Sequence, residues 1–180
     1  MPTQEQRRTT TKNGIIAAAF ETFKTHGGVD VSLESIADRA GVTKGSIHYH
    51  FGNRAGLMTA VALWLFTAIE ERIASQIKAS GRRRTASLYV THLLAEQASP
   101  AGRVLFTIGD ALEQQAGLGE VNPYHYLCDK LRHLGVTGSV EVMAAAVMQL
   151  GRQLAYGEAN KDHIDTMVKS LRKRSSLLKT

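Results

Sequence analysis

Six apolar residues, Leu57, Val61, Leu65, Ile69, Ile73 and Ile77, recur at every fourth position, a spacing that lays one stripe along a long helix. Spacings of three and four run through nearly the whole chain, and β-branched alternation nowhere extends past three or four residues. The pattern predicts an all-α protein. With 43% apolar residues among 180, the chain can bury a proper core, either as one compact domain or as a module of a larger protein.

The stretch "LMTAVALWLFTAI", residues 57–69, is apolar nearly all round. At about 13 residues it falls short of the ~20 that span a bilayer, so it predicts a buried helix and not a membrane segment. The opening "MPTQEQRRTTTKNG" is polar and basic and lacks the apolar stretch of a signal peptide. A single cysteine, Cys128, leaves no internal disulfide to form, which favours a reducing compartment. These features point to the cytoplasm and away from a membrane partner.

Helix boundaries follow from caps and breakers. "NGIIAAAFETFKTHGG" places Ile15, Ile16, Ala19 and Phe23 on one face and stops at Gly27-Gly28. "SLESIADRAGV" opens on an N-cap, Ser32, and ends at Gly41. "TKGSIHYHF" is a short third helix with Thr43 at its start, and Gly52-Asn53 breaks the chain before a long helix beginning near Arg54. After a linker, "SGRRRT" (80–85), helices are expected at about 86–98, 101–116 and 122–134. Val140, Met143, Val147, Leu150 and Leu154 then follow the 3-4-3-4 spacing of a coiled-coil-like seam, and Ile164, Met167, Val168 and Leu171 form a last amphipathic face. That makes about nine helices.

Three short helices, the second and third joined by a tight Ala-Gly-Val-Thr turn, spell a helix-turn-helix. On a wheel of the third helix, Ile47 and Phe51 fall together and point inward, while Gly45, Ser46, His48 and Tyr49 face out. A face with a glycine, a hydroxyl, an imidazole and a phenol is poor core and good DNA-contact material. Lys44 and Arg54 flank it where phosphate contacts would sit.

A metal site is excluded by geometry. His48 and His50 are two residues apart, about 200° around a helix, and cannot chelate one ion. No Cys, Asp or Glu lies among residues 43–57. No carboxylate orients either histidine for base catalysis, and no cofactor motif is present, so neither an enzyme nor a cofactor-binding protein is expected. Net charge is +6, but residues 1–54 hold seven Lys/Arg against five Asp/Glu, while residues 121–180 hold nine against five. The surplus is not gathered in the opening stretch, so arrangement rather than total charge carries the DNA-binding reading.

The segment from about Lys12 to Val61, including "IIAAAFETFKTHG", "SLESIADRAGVTKGSIHYHF" and "NRAGL", resembles the TetR family of bacterial transcriptional regulators. The resemblance implies a helix-turn-helix DNA-binding domain at 1–54 and an effector-binding and dimerisation domain at 55–180. Carried over by position, base and groove contacts fall on Gly45, His48 and Tyr49, and phosphate contacts on Thr43, Lys44, Ser46, His50 and Arg54. His48 stands where the family usually has tyrosine, and Arg54 where it usually has lysine.

The resemblance also implies that Val140, Met143, Val147, Leu150, Leu154, Ile164, Val168 and Leu171 pair with a second copy, so that a two-fold dimer reads a pseudo-palindromic operator. An intramolecular role for the 140–154 seam is the alternative. Effector candidates after the DNA-binding segment are Trp64, His92, Phe106, Asp110, Tyr124, Tyr126 and Cys128. The expected function is that of a homodimeric repressor released by a small molecule. An activator, or a regulator controlled by a protein partner, fits the same residues.

Overall fold

The computed structural model describes residues 1–83, 85–116 and 123–176, with side chains of 114–116 and 171–176 outside that description. Among the described residues there are nine helices and no strand: α1 (Gln4–His26), α2 (Leu33–Ala40), α3 (Lys44–Phe51), α4 (Arg54–Ala79), α5 (Ala86–Gln97), α6 (Pro100–Ala116), α7 (Pro123–His133), α8 (Val140–Ala155) and α9 (Lys161–Ser176). No described helix is long and apolar enough to cross a membrane.

The caps fall where the sequence places them, with one exception. Ser32 and Thr43 each accept from the backbone N–H three residues on, and Gly27 and Gly41 close α1 and α2 at φ of 70° and 65°, a region open to glycine at no steric cost. The exception is the start of α1, which begins at Gln4 and not near Asn13. Thr3 and Gln6 form a reciprocal capping box: the Gln6 N–H donates to Thr3 Oγ1 at 3.2 Å and the Thr3 N–H to Gln6 Oε1 at 2.7 Å. Two otherwise orphaned donors are thereby satisfied, and the polar opening stretch becomes helical.

The six-residue stripe of α4 is buried throughout, none of it above 5% exposed. The all-round burial expected of the front half does not hold, because Leu63 and Trp64 are 44% and 41% exposed. A stripe spaced by four turns only one side of a helix to the core, and the residues between fall on the remaining circumference.

Contacts group the residues into two compact units, Met1–Phe66 with Val104–Leu118, and Thr67–Arg103 with Gly119–Thr180. This division departs from the 1–54/55–180 boundary. Leu57, Met58, Val61 and Leu65 at the front of α4 are buried and supply apolar residues to the first unit's core. In that unit α1 packs on α2 and α2 on α3; in the second, α5 packs on α8 and α9, α7 on α8, and α8 on α9.

Val140, Met143, Val147, Leu150 and Leu154 are each 9% exposed or less within a single chain, as the intramolecular alternative requires. Val168 is buried too, Ile164 is half-buried, and the side chain of Leu171 lies outside the described residues. The face left open on α8 carries Val142, Ala145 and Gln149 instead.

Candidate nucleic-acid interface

Eight residues make a marginal helix on their own, and α3 is held by closures at both ends. Thr43 Oγ1 accepts from the Ser46 N–H at 3.2 Å, and the Gly52 N–H donates to His48 O at 2.8 Å with Gly52 at φ 74°. Ile47, fully buried, fixes the helix to the core, whereas Phe51 is only half-buried. Gly45, His48 and Tyr49 are exposed on the far side, Tyr49 to 70%. The three residues expected at bases therefore share one open face.

The residues expected at phosphates separate. Thr43 and Ser46 sit together at the N-terminus of α3, their hydroxyls 3.2 Å apart. Lys44 is exposed and pairs with Glu34 of α2, a bond that holds the Glu34 carboxyl below its ordinary range. Arg54 is turned elsewhere: its Nη1 donates to Val31 O and its Nη2 to Val29 O, so the guanidinium closes the loop between α1 and α2. Two of its five N–H donors are engaged in this way. His50 is half-buried, and its Nδ1 is buried without a hydrogen-bond partner. Desolvation, then the positive charges of Arg8 and Lys12, keep its pKa below the ordinary value.

Arg8 and Lys12 were not singled out from the sequence. The Arg8 guanidinium lies 5.7 Å from the centre of the Tyr49 ring and Lys12 Nζ 5.9 Å from that of Phe51, within cation–π range. The capping box at Thr3 and Gln6 makes this possible by continuing α1 backwards beyond Lys12. The signal was present as Thr-x-x-Gln followed by cations at i and i+4, residues one helical turn apart.

The effector candidates divide between the two units. In the first, Trp64 lies 5.5 Å from Phe20, ring centre to ring centre, and Phe106 and Asp110 are half-buried. In the second, Tyr124 OH donates to Glu141 O at 3.2 Å, Cys128 is buried and His92 half-buried. Tyr126 OH donates to Glu70 Oε2 at 2.9 Å, and Lys130 Nζ reaches the same carboxylate oxygen at 2.9 Å and Tyr126 OH at 2.8 Å. Tyr89 OH donates to the other oxygen of Glu70. Burial and then the hydrogen bonds to Lys130 and Glu70 act on Tyr126, with the net result that its pKa is raised. Tyr126 and Lys130, with Asp129, His133 and Leu134, line an open cavity of about 470 Å³. Among the described residues no cluster of three or more His, Cys, Asp or Glu could hold a metal ion.

A short capped helix set across a left-handed glycine from its neighbour, with a polar outer face and cations beside it, defines a helix-turn-helix protein. Residues 15–61 match the bacterial regulatory proteins of the tetR family. Two relatives from Pseudomonas putida, the uncharacterized HTH-type transcriptional regulator TtgW and the HTH-type transcriptional regulator SrpR, are each 41% identical over 51 residues, 28% of this chain. The aligned segment spans 38% of TtgW and 24% of SrpR. A crystal structure of a TetR-family transcriptional regulator from Pectobacterium atrosepticum is 19% identical, with a TM-score of 0.59 over 98% of this chain and 96% of that one. The segment 15–61 is thus similar to the DNA-binding part of TetR-family regulators, and the chain spans well under half the length of these relatives. Its helical fold over nearly the whole chain is like that of the solved TetR-family structure.

Proposed function

We propose that the chain is a homodimeric transcriptional repressor that reads a pseudo-palindromic DNA operator and releases it when a small molecule binds the second unit. The observation carrying this reading is the exposed face of α3, where Gly45, His48 and Tyr49 stand clear of a helix closed at both ends. A helix placed in the major groove contacts base edges with such a face, and a two-fold dimer meets the same half-site twice.

The second copy is proposed to sit on the open faces of α8 and α9. A cavity of about 590 Å³ there is lined by residues including Ala146, Gln149, Gln153, His163 and Thr166, and the exposed Val142 lies on α8 nearby in sequence. The effector is proposed to enter the cavity beside Tyr126 and Lys130, whose volume falls in the usual range for small-molecule sites. Coupling would run along α4, which holds the loop carbonyls of Val29 and Val31 through Arg54 and the tyrosine–lysine cluster through Glu70. A ligand that disturbs Glu70 acts on the helix that begins beside the recognition element.

The test is selection of bound duplexes from a random library at near-physiological salt, with a Tyr49→Ala protein alongside. Enrichment of a two-fold palindrome that the variant fails to select is expected. Binding that is unselective, salt-sensitive and equal in both proteins would leave only the phosphate contribution and refute the reading.

A further inference from the structure

His48 and Gly52 are joined twice. The Gly52 N–H donates to the His48 carbonyl at 2.8 Å, and His48 Nδ1 lies 2.9 Å from the Gly52 carbonyl oxygen. The second bond depends on the glycine: at φ 74° and ψ −60° its carbonyl turns back along α3, and a residue with a Cβ adopts that conformation only under strain. A carbonyl oxygen has no proton to give, so the proton in this bond sits on His48 Nδ1. In a neutral imidazole the other nitrogen is then an acceptor. His48 is exposed on the same face as Tyr49 and Gly45, which leaves Nε2 as the free polar atom of the ring.

We propose that His48 is a specificity-determining residue that reads one base per half-site as a hydrogen-bond acceptor, selecting adenine or cytosine by its exocyclic amino group. This rests on the reading of α3 as the DNA-contacting helix. In the major groove adenine offers its N6 amino group and cytosine its N4 amino group, whereas guanine offers only the N7 and O6 acceptors and thymine O4 and a methyl group. An acceptor locked by the backbone behind it pairs with the first two and opposes the last two. A histidine free to swap tautomers would accept any of the four, so the Gly52 carbonyl turns an ambivalent side chain into a selective one.

The experiment repeats the selection at pH 8, where an ordinary imidazole is neutral, with wild-type, His48→Ala and His48→Arg proteins. The expected result is a palindrome with adenine or cytosine at one fixed position of each half-site. His48→Ala should lose information at that position alone, and His48→Arg, which can only donate, should move it to guanine. Replacing the favoured base by guanine should weaken wild-type binding about tenfold and leave His48→Ala binding unchanged. A palindrome identical in wild type and His48→Ala, or one with guanine or thymine at the position that His48→Ala releases, overturns the proposal while leaving the DNA-reading function intact. No palindrome from any protein overturns both.

Discussion

Gly151 of α8 lies so close to Gln97 of α5 that a Cβ built on the glycine would stand 2.0 Å from Gln97 Oε1 and 2.5 Å from its Cδ. Gln97 is 5% exposed, its Nε2 donating to Met148 Sδ at 3.6 Å while Oε1 has no partner. The carboxamide fills the notch that glycine leaves, which sets the distance between the two helices.

Gly151→Ala is expected to lower stability by roughly 1–3 kcal/mol, the usual cost of overpacking a tight interior. Thermal melting of Gly151→Ala alone and combined with Gln97→Ala checks it. The double variant should recover part of the loss, because the atoms that clash are gone. Equal melting temperatures for wild type and Gly151→Ala would contradict the packing described.

Arg54→Ala should act on folding and not on phosphate binding. Removing the guanidinium leaves the carbonyls of Val29 and Val31 without their donors, a loss of about 1–3 kcal/mol. The salt dependence of DNA binding should stay as in wild type. A shallower salt slope with unchanged melting would return Arg54 to the phosphate role its position in the family suggests.

Arg8→Ala and Lys12→Ala should do the reverse. Each is expected to weaken binding to all sequences alike and to reduce the slope of log affinity against log salt by about 0.9 per phosphate lost. Titrations at several salt concentrations on selected and scrambled duplexes separate this from lost base contacts. An unchanged slope in both variants would mean that the cations beside Tyr49 and Phe51 serve only the rings.

His50 gives a pH prediction. Its pKa lies below the ordinary 6.5 in the folded protein, so just below that pH the unfolded chain binds the proton more readily. Stability from this group is therefore whole above about pH 6.5 and falls as the pH drops below it. An NMR titration of the imidazole should show a midpoint below 6.5, shifted upward by Arg8→Ala since one repelling charge is removed. A midpoint at or above the ordinary value would refute it.

The helix order and the recognition face were legible in the sequence because both depend on local signals. Ser32, Thr43, Gly27 and Gly41 act within a few residues of themselves, and a wheel suffices to place Ile47 inside and Tyr49 outside. The α8 seam was legible as a stripe, yet spacing reports only that a face is buried and says nothing about which chain buries it. Arg54 shows the same limit: its charge and position were plain, but the carbonyls of Val29 and Val31 that occupy it lie more than twenty residues away. Arg8 and Lys12 were obscured by a single cap, Thr3 with Gln6, since a first helix starting at Asn13 leaves out the turns that carry them to α3.

The closures at the two ends of α3 have a thermodynamic consequence. With Thr43 holding one end and Gly52 with His48 the other, α3 is already ordered in the free chain, and under the proposed DNA-reading function association need not supply the free energy of ordering it. Calorimetry of operator binding should then show a heat-capacity change set by the surface the complex covers, without the excess that marks a segment folding as it binds.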